Sequence, residues 1–368
     1  MPLTTVNPAL LDTQAQYTGF KNRIINGDMR IDQRNAGASV TPTDGQFSVD
    51  RWRASLNVAS KFSLQRSTVA PTGFTNSILA TSLSAYSVAA GEVTGVMHII
   101  EGFNTADFGF GTASAATITL SFWVRSSLTG TFGGSLRNSA ANRSYPFSYS
   151  ISAANTWEQK SITIAGDTTG TWLTDNGIGV TIYFGLGAGS TFSSTAGSWQ
   201  SGNFVSATGA TSVVGTNGAT FYITGVQLEK GSTATSFDYR PYGTELQLCM
   251  RYYQKSYDID TVPGTATNIN VVSGGTQFAG GVGGSWAVYQ MPVPMRSAPN
   301  VSFWDAAGTA NVHSYTYGSA GTGQTYSNGG TAWGTTIKYI GARSFWIGPQ
   351  SAQPNAISLI HFTASAEL

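Results

Sequence analysis

The stretch TITLSFWVR at residues 117–125 decides the fold class, because its apolar residues occupy every second position. In a β-strand the four apolar residues from Ile118 to Val124 would share one face, and the residues between them would take the other. The stretch GVTIYFGLG at residues 179–187 has the same period, with Tyr183 in the outward phase. Such alternation is typical of strands that cover a core with one face.

Shorter runs of the same kind recur along the chain, separated by segments rich in Gly, Ser, Thr and Asn. These segments supply the turns that connect strands. Regular strands without helical patterns between them predict an all-β fold, a jelly-roll-like β-sandwich followed by a C-terminal β-sandwich. The runs lie at residues 61–69, 161–165, 221–228, 286–293, 301–304, 344–348 and 356–362.

One segment, YGTELQLCMRYY at residues 242–253, has helical spacing instead. Thr244 and Gln247 match a capping box at its start. We expect a short linking helix with one apolar face, formed by Leu246, Cys249, Met250 and Tyr253. The predicted divisions are an N-terminal peptide (1–21), the jelly-roll domain (22–241), the linking helix (242–257) and the C-terminal domain (258–368).

Composition excludes several classes of protein. The chain has 368 residues, with 19 Lys plus Arg against 18 Asp plus Glu, so the excess positive charge of a typical nucleic-acid-binding surface is absent. A single cysteine, Cys249, excludes an intrachain disulfide and cysteine-rich zinc sites. No apolar run approaches the length of a transmembrane helix, so we expect no membrane insertion. The first residues lack the pattern of a signal peptide, which predicts synthesis in a cytoplasm.

Residues with catalytic or metal-binding chemistry are few and scattered. His98, His313 and His361 lie far apart in the sequence, and no phosphate-binding loop, zinc-protease motif or nucleophile elbow is present. Two pairs of carboxylates are candidates for a glycosidase dyad, Asp167 with Asp175 and Glu92 with Glu101. We expect no catalytic residues, no metal and no cofactor, and therefore no enzyme.

Aromatic residues in loops or in the outward phase of strands are the better lead. Flat rings beside polar side chains can stack on the apolar face of a sugar while their neighbours bind its hydroxyls. The same rings could instead pack against another subunit, and the sequence leaves both possibilities open. The candidate glycan-binding residues are Trp172, Tyr183, Trp199, Tyr326, Trp333 and Trp346.

Several motifs resemble a module found near the distal ends of tailed-bacteriophage fibres and related virion structural proteins. The resemblance spans residues 22–253, where the two flanks match and the middle is generic β sequence. The motifs are NRIINGDMRIDQRN (22–35), DRW (50–52), ITGVQLEKGS (223–232), FDYR (237–240) and LCMRYY (248–253), and the ending FTASAEL (362–368) is also similar.

The resemblance implies a virion protein, assembled in the host cytoplasm, and a homotrimer with the linking-helix face at its axis. Only about 20 residues precede the module, which favours a short fibre, a baseplate appendage or a head decoration over a long fibre. Among these we expect a short tail fibre or receptor-binding protein. Leu10, Leu11 and Tyr17 would anchor it to other virion proteins. We expect non-catalytic attachment to a host-surface glycan. The alternatives are a head-decoration or baseplate adaptor protein and, less favoured, a polysaccharide depolymerase.

Overall fold

The structure, a computed structural model, describes residues 21–276, 286–317, 324–328, 337–348 and 357–368. For residues 275–276, 313–317, 324–328 and 357–358 it describes the backbone alone. This part of the chain is nearly all β with one α-helix, which confirms the predicted fold class. It divides into two compact units. Unit 1 takes residues 21–30, 37–241 and Leu368, and unit 2 takes Ile31–Ala36 and the described residues from Tyr242 to Glu367.

Unit 1 contains two antiparallel sheets. The seven-stranded sheet has the order β1-β2-β5-β10-β7-β8-β12 and the five-stranded sheet the order β3-β4-β14-β6-β9, while β11 and β13 form a short parallel pair. Short 3₁₀ helices occupy Gly102–Asn104, Ala106–Phe108 and Ser190–Phe192. The strands are β1 (Phe47–Val49), β2 (Trp52–Leu56), β3 (Phe62–Ser67), β4 (Ser77–Ser82), β5 (Val93–Glu101), β6 (Ile118–Ser126), β7 (Gly130–Arg137), β8 (Arg143–Ile151), β9 (Glu158–Ile164), β10 (Ile178–Ala188), β11 (Ser193–Ser194), β12 (Gln200–Ser201), β13 (Ser206–Ala207) and β14 (Thr220–Lys230).

The core of unit 1 lies between these two sheets. The apolar residues of β6 from Ile118 to Val124 are fully buried in it, as their alternation predicted. The ring of Phe122 on β6 contacts that of Phe184 on β10 with centroids 5.1 Å apart, and Phe132 on β7 stacks against Phe221 on β14 at 6.0 Å. Since rings from both sheets meet in one cluster, unit 1 is a β-sandwich.

The outer face of the seven-stranded sheet is covered as well. A Cβ on Gly133 of β7 would lie 2.4 Å from the Ser206 hydroxyl, and the Ser135 hydroxyl donates to the carbonyl oxygen of Phe204 at 2.7 Å. The segment that carries β13 therefore lies directly on this face. Consequently β5 is buried on both faces along its whole length, which explains why its sequence has no two-residue period.

The first motif of the resemblance runs beside β14. The N–H of Arg23 donates to Leu228 O at 3.0 Å and that of Val226 to Gly27 O at 2.9 Å, so the first and last parts of the sandwich lie side by side, as the resemblance implied. The positive φ of the Asn26-Gly27 turn falls on Asn26, at 57°. Gly27 is needed for a different reason, because a Cβ there would lie 2.2 Å from Val226 O.

Unit 2 is built around its last strand, β23. One side of β23 pairs with β15 and β16, the other side pairs with β18 and β19, and β20 adds to β19. A three-stranded sheet has the order β17-β22-β21. The strands are β15 (Tyr253–Lys255), β16 (Val272–Thr276), β17 (Ala287–Gln290), β18 (Asn300–Trp304), β19 (His313–Tyr317), β20 (Gln324–Asn328), β21 (Ile337–Lys338), β22 (Ser344–Ile347) and β23 (Ile357–Ser365).

The core of unit 2 joins its two sheets through aromatic rings. Phe362 on β23 contacts Phe345 on β22 at 5.0 Å and Tyr289 on β17 at 4.7 Å. His361 is fully buried beside this core. Its Nε2 donates to Thr267 O and its Nδ1 is hydrogen-bonded with the Ser256 hydroxyl, both at 3.0 Å, so both ring nitrogens are engaged in structural contacts.

The linking helix α1 spans Tyr242–Met250, so it exists but begins two residues before the predicted cap. Thr244 therefore lies inside the first turn and not at the N-cap position, so the capping-box prediction was wrong. Cys249 and Tyr253 are buried within the single chain, whereas Leu246 and Met250 are half-buried.

Candidate functional site

The candidate site of unit 1 is made by two connections that meet where β5 ends and β10 begins. In the β5–β6 connection the backbone N–H groups of Gly102 and Phe103 donate to carbonyl oxygens of the β9–β10 connection. The acceptors are Gly177 at 2.9 Å and Asp175 at 2.8 Å. The two loops are therefore fixed to each other by their backbones, not only by side-chain packing.

Glycines permit this close approach. A Cβ on Gly102 would lie 2.5 Å from Leu173 O, and one on Gly111 would lie 2.7 Å from Gly170 O. Both acceptors are backbone atoms that cannot rotate away, so any larger residue would push the loops apart.

The loops enclose a pocket of about 150 Å³. Phe110 and Trp172 supply aromatic surface, and three threonines supply hydroxyl groups. None of the lining side chains is ionisable. The lining residues are Thr105, Ala106, Gly109, Phe110, Thr112, Trp172, Leu173, Thr174 and Val180.

A cluster of rings holds the aromatic wall in place. The ring of Trp172 lies 4.9 Å from Phe110 and 5.3 Å from Trp199, and Tyr145 lies 5.3 Å behind Trp199. The indole N–H of Trp172 donates to Thr169 O at 3.1 Å, so this ring can offer a ligand its face and edge but not its N–H. The wall is preformed, which lowers the entropic cost of binding.

The three hydroxyl groups differ in what they can offer. Thr112 Oγ1 donates to Gly109 O at 2.6 Å and accepts the N–H of Ser114 at 3.3 Å, so one lone pair remains to accept from a ligand. Thr105 is buried, with a long 3.4 Å contact to Gly102 O. The Thr174 hydroxyl is exposed, and within the described part of the chain no hydrogen bond engages it. The pocket thus combines aromatic surface with groups that can bind hydroxyls.

Behind the pocket, an ion pair braces the β9–β10 connection. Arg143 of β8 donates to both carboxylate oxygens of Asp167, from Nε at 2.8 Å and from the terminal nitrogen at 2.6 Å. Burial opposes ionisation of Asp167, but the hydrogen bonds from Arg143 and Thr169 outweigh it and hold the pKa of this carboxyl below its usual value. A general acid needs the opposite shift, so Asp167 does not suit that role, and its two hydrogen bonds from Arg143 make it a brace of the connection.

The other carboxylate pair fails on distance. Glu92 directly precedes β5 and Glu101 is its last residue. A rise of about 3.3 Å per strand residue places their Cα atoms about 30 Å apart. A glycosidase dyad requires roughly 5 to 9.5 Å. Glu92 is held by the hydroxyl of Tyr86 and the N–H of Ala89.

The structure brings together two of the six predicted glycan-binding residues, Trp172 and Trp199. Trp172 lines the pocket, whereas Trp199 supports it from behind with its N–H bound to Ala165 O at 2.7 Å.

Tyr183 was predicted to be exposed, and this was wrong, because its side chain is only 2% exposed. It does point away from the main core, as its phase indicated, but Met97, Val205 and their neighbours cover it in a second cluster. Burial raises the pKa of Tyr183 to about 12.

The remaining predicted aromatics belong to unit 2. Trp346 on β22 is 38% exposed and its ring lies 5.2 Å from that of Tyr339, itself 72% exposed. Tyr326 lies in β20, where the side chains are outside the described part, and Trp333 lies outside the described residues altogether. The predicted anchor residues Leu10, Leu11 and Tyr17 also lie outside it.

The described residues contain neither a metal-binding cluster nor a membrane-spanning helix. No group of three or more His, Cys, Asp and Glu side chains there is placed to hold a metal ion. In the same ranges no helix has the length and apolar character needed to cross a membrane.

Sequence reasoning missed Phe110, which lines the pocket, and the exposed Phe103, which precedes the lining residue Thr105 by two positions. Phe110 lies in FGFG at residues 108–111, where no strand or helix period marks a face. The signal that could have found it is an aromatic residue between two glycines, a pattern typical of a tight loop that presents a ring.

Neither a protein-family model nor a curated protein matches the sequence. Solved structures similar to this chain include an enzymatically active domain of tailspike protein 4 from bacteriophage CBA120, with 14% identity, a TM-score of 0.30 and coverage of 57% of this chain and 21% of that one. Another is a putative sugar-binding protein from Bacteroides thetaiotaomicron, with 11% identity, a TM-score of 0.34 and coverage of 57% and 100%. A third is a family 11 carbohydrate-binding module of a cellulosomal cellulase from Clostridium thermocellum, with 13% identity, a TM-score of 0.28 and coverage of 54% and 98%. Similarities with TM-scores this low establish nothing about the activity of this chain.

Proposed function

We propose that this chain is a bacteriophage virion structural protein, a short tail fibre or receptor-binding protein, that attaches to a host-surface glycan without altering it. The virion assignment comes from the resemblance of residues 22–35, 50–52 and 223–253 to distal fibre modules. The glycan assignment is carried by one observation, the preformed pocket in which Trp172 and Phe110 stand beside three threonine hydroxyls.

The chemistry of this pocket suits a sugar ring. The C–H face of a pyranose packs on an aromatic ring, and its hydroxyls need donors and acceptors at the edge. The volume is small, which fits one ring better than a peptide segment. The lack of ionisable lining residues supports binding without bond cleavage, because glycoside hydrolysis uses a pair of carboxyl groups.

The partners in this proposal are other virion proteins, bound through residues 1–21, and two further copies of the chain. The half-buried Leu246 and Met250 of α1 are the residues of the predicted trimer contact that keep apolar surface to offer. Cys249 and Tyr253 are buried within the chain and can support that contact only indirectly.

The test is binding of the purified protein to host cells and to a glycan array, comparing the parent with Trp172→Ala. The matched control is Trp157→Ala, which removes a half-buried indole that contacts Tyr222 at 6.0 Å and lies outside the pocket. We expect Trp172→Ala to weaken glycan binding at least about tenfold and Trp157→Ala to leave it unchanged. A parent that binds no glycan, or equal binding by the Trp172 variant, contradicts the proposal.

A second candidate function, a purely structural decoration or adaptor protein, is favoured by the exposed apolar residues of unit 2. Val288 and Trp346 face each other directly across β17 and β22, and both are exposed, as are Tyr339 and Ile340. Such a patch is typical of a protein contact. Incorporation of Trp346→Ala and Tyr339→Ala into particles separates the two functions, because the decoration function requires a loss of incorporation with no loss of glycan binding.

A further inference from the structure

Phe103 is the most exposed phenylalanine beside the pocket, and neither the core nor the pocket wall uses it. Its side chain is 61% exposed, although burying a phenylalanine stabilises a fold by about 1.5 to 3 kcal/mol. A ring left in water next to a preformed site is a candidate for ligand contact.

The position of Phe103 relative to the pocket is fixed by backbone contacts. Its N–H donates to Asp175 O at 2.8 Å, and Asp175 directly follows the lining residue Thr174. In the sequence Phe103 precedes the lining residue Thr105 by two positions, which limits the separation of their Cα atoms to about 7 Å. The backbone of Phe103 therefore lies beside the two loop segments that line the pocket.

The turn that carries Phe103 is held in place by two cationic side chains. Arg23 donates to Asn104 O at 3.3 Å and pairs with Asp107 at 2.9 Å, while Lys230 donates to Asp107 O at 2.8 Å. The exposed ring thus stands on a braced turn, and ordering it on binding costs little entropy.

Charge around the site disfavours acidic ligands. The lining has no cation, and the guanidinium of Arg143 behind it is neutralised by Asp167. The exposed carboxylates adjacent in sequence to lining residues are Asp107, which pairs with Arg23 and Lys230, and Asp175, which accepts the N–H of Gly177 at 2.8 Å. A sialic or uronic acid would meet the Asp175 carboxylate, and the two cations on the neighbouring turn, Arg23 and Lys230, are already paired with Asp107.

We infer that Phe103 is a second stacking platform, so that the site binds a neutral oligosaccharide with one sugar ring in the Trp172 pocket and the next ring on Phe103. This inference rests on the proposed function and extends it from a sugar ring to a chain of neutral sugars.

The experiment uses the full-length protein and calorimetric titration with neutral hexose trisaccharides, their monosaccharides and trisaccharides that contain a uronic or sialic acid. For the best neutral trisaccharide, we expect Phe103→Ala to weaken binding by about tenfold while leaving the affinity for the monosaccharide unchanged. Phe103→Tyr keeps the ring and should keep the parent affinity. Phe103→Leu keeps apolar bulk without a flat face and should behave like Phe103→Ala.

Several results would overturn the inference while the proposed function stands. These are equal trisaccharide affinity in the parent and Phe103→Ala, parent trisaccharide affinity in Phe103→Leu, or tighter binding of the acidic than of the neutral trisaccharides. Loss of particle incorporation by Phe103→Ala with unchanged sugar binding would make Phe103 a protein contact instead. If the parent binds no sugar while Phe103→Ala incorporates normally, the proposed function fails and the inference fails with it.

Discussion

At the scale of single residues, a buried hydrogen-bonded group ties the first motif to the seven-stranded sheet. The indole N–H of Trp52 and Nε2 of His98 reach the carbonyl oxygens of Asn26 and Ile25, both at 3.0 Å. The Asn26 side chain donates in turn to Asp50 O at 2.9 Å. The residues of these two motifs therefore stabilise the fold by bonding to one another and to β5.

His98 makes stability depend on pH. Burial, together with the neighbouring cation Arg51, holds the pKa of His98 well below 6.5, so it stays neutral in the folded chain. Below about pH 6.5 the unfolded chain takes up a proton that the folded chain does not, and stability then falls with decreasing pH by up to about 1.4 kcal/mol per pH unit. His361 of unit 2 has a pKa lowered by burial and adds to the effect.

We expect His98→Gln to flatten this dependence between pH 7 and pH 5, although the variant is less stable at pH 7. Thermal unfolding of the parent and the variant across that range measures it. An equal slope in both proteins would show that His98 does not titrate between the two states.

Gly27 tests the close approach of the first motif to β14. A methyl group on Gly27 would clash with the backbone oxygen of Val226. Neither the new Cβ nor this oxygen could rotate away, because both are fixed by the backbone. Gly27→Ala should destabilise unit 1 by about 2 kcal/mol or more, measured by chemical unfolding, because the backbone must shift. Gly91→Ala is the control, since a Cβ at Gly91 meets nothing within 4 Å. Similar effects of both changes would contradict the predicted clash.

At the scale of elements, the sequence revealed strands whose apolar residues alternate, although β10 proves to be buried on both faces, and missed strands without that alternation. β6 and β10 alternate and were predicted within one or two residues. β5 is buried on both faces, β7 is rich in glycine and β8 contains Pro146, so none of them has a clean period. Trp172 was found because it lies in a loop. Tyr183 was misjudged because its burial depends on a covering segment about 20 residues away.

The segment Ile31–Ala36 is the element that sequence reasoning could least foresee. It belongs with unit 2, although the chain on both sides of it belongs with unit 1. Arg34 lies 3.8 Å above the ring of Tyr253 and pairs with Glu367 at 2.7 Å, with side chains only 13% and 9% exposed. Contacts of this sequence separation leave no local pattern.

Arg34→Ala should therefore weaken unit 2 selectively, by about 2 kcal/mol, because it removes the ion pair with the Glu367 carboxylate, whose side chain is 9% exposed. Hydrogen exchange of β15 and β23 would increase, while that of β6 and β10 would not. Lys160→Ala is the control, because it removes an ion pair with Glu158 on the sandwich and should leave β15 and β23 protected. Uniform exchange changes after Arg34→Ala would contradict a local role.

At the scale of the whole molecule, the proposed function assigns separate tasks to separate parts: attachment to particles by residues 1–21, trimer contact by α1 and glycan binding by unit 1. Deleting residues 1–20 should leave a folded trimer with parent glycan affinity that no longer joins particles. Mass photometry, glycan titration and particle incorporation measure the three properties. Normal incorporation of the truncated protein would contradict the anchor.

The most direct test of the central claim is a crystal structure of the protein with the neutral oligosaccharide that binds it most tightly. The proposed function predicts a sugar ring against Trp172 and Phe110, with its hydroxyls bonded to the threonines of the same pocket. A sugar bound elsewhere, for example on the Tyr339 and Trp346 pair, with the Trp172 pocket empty, would contradict it.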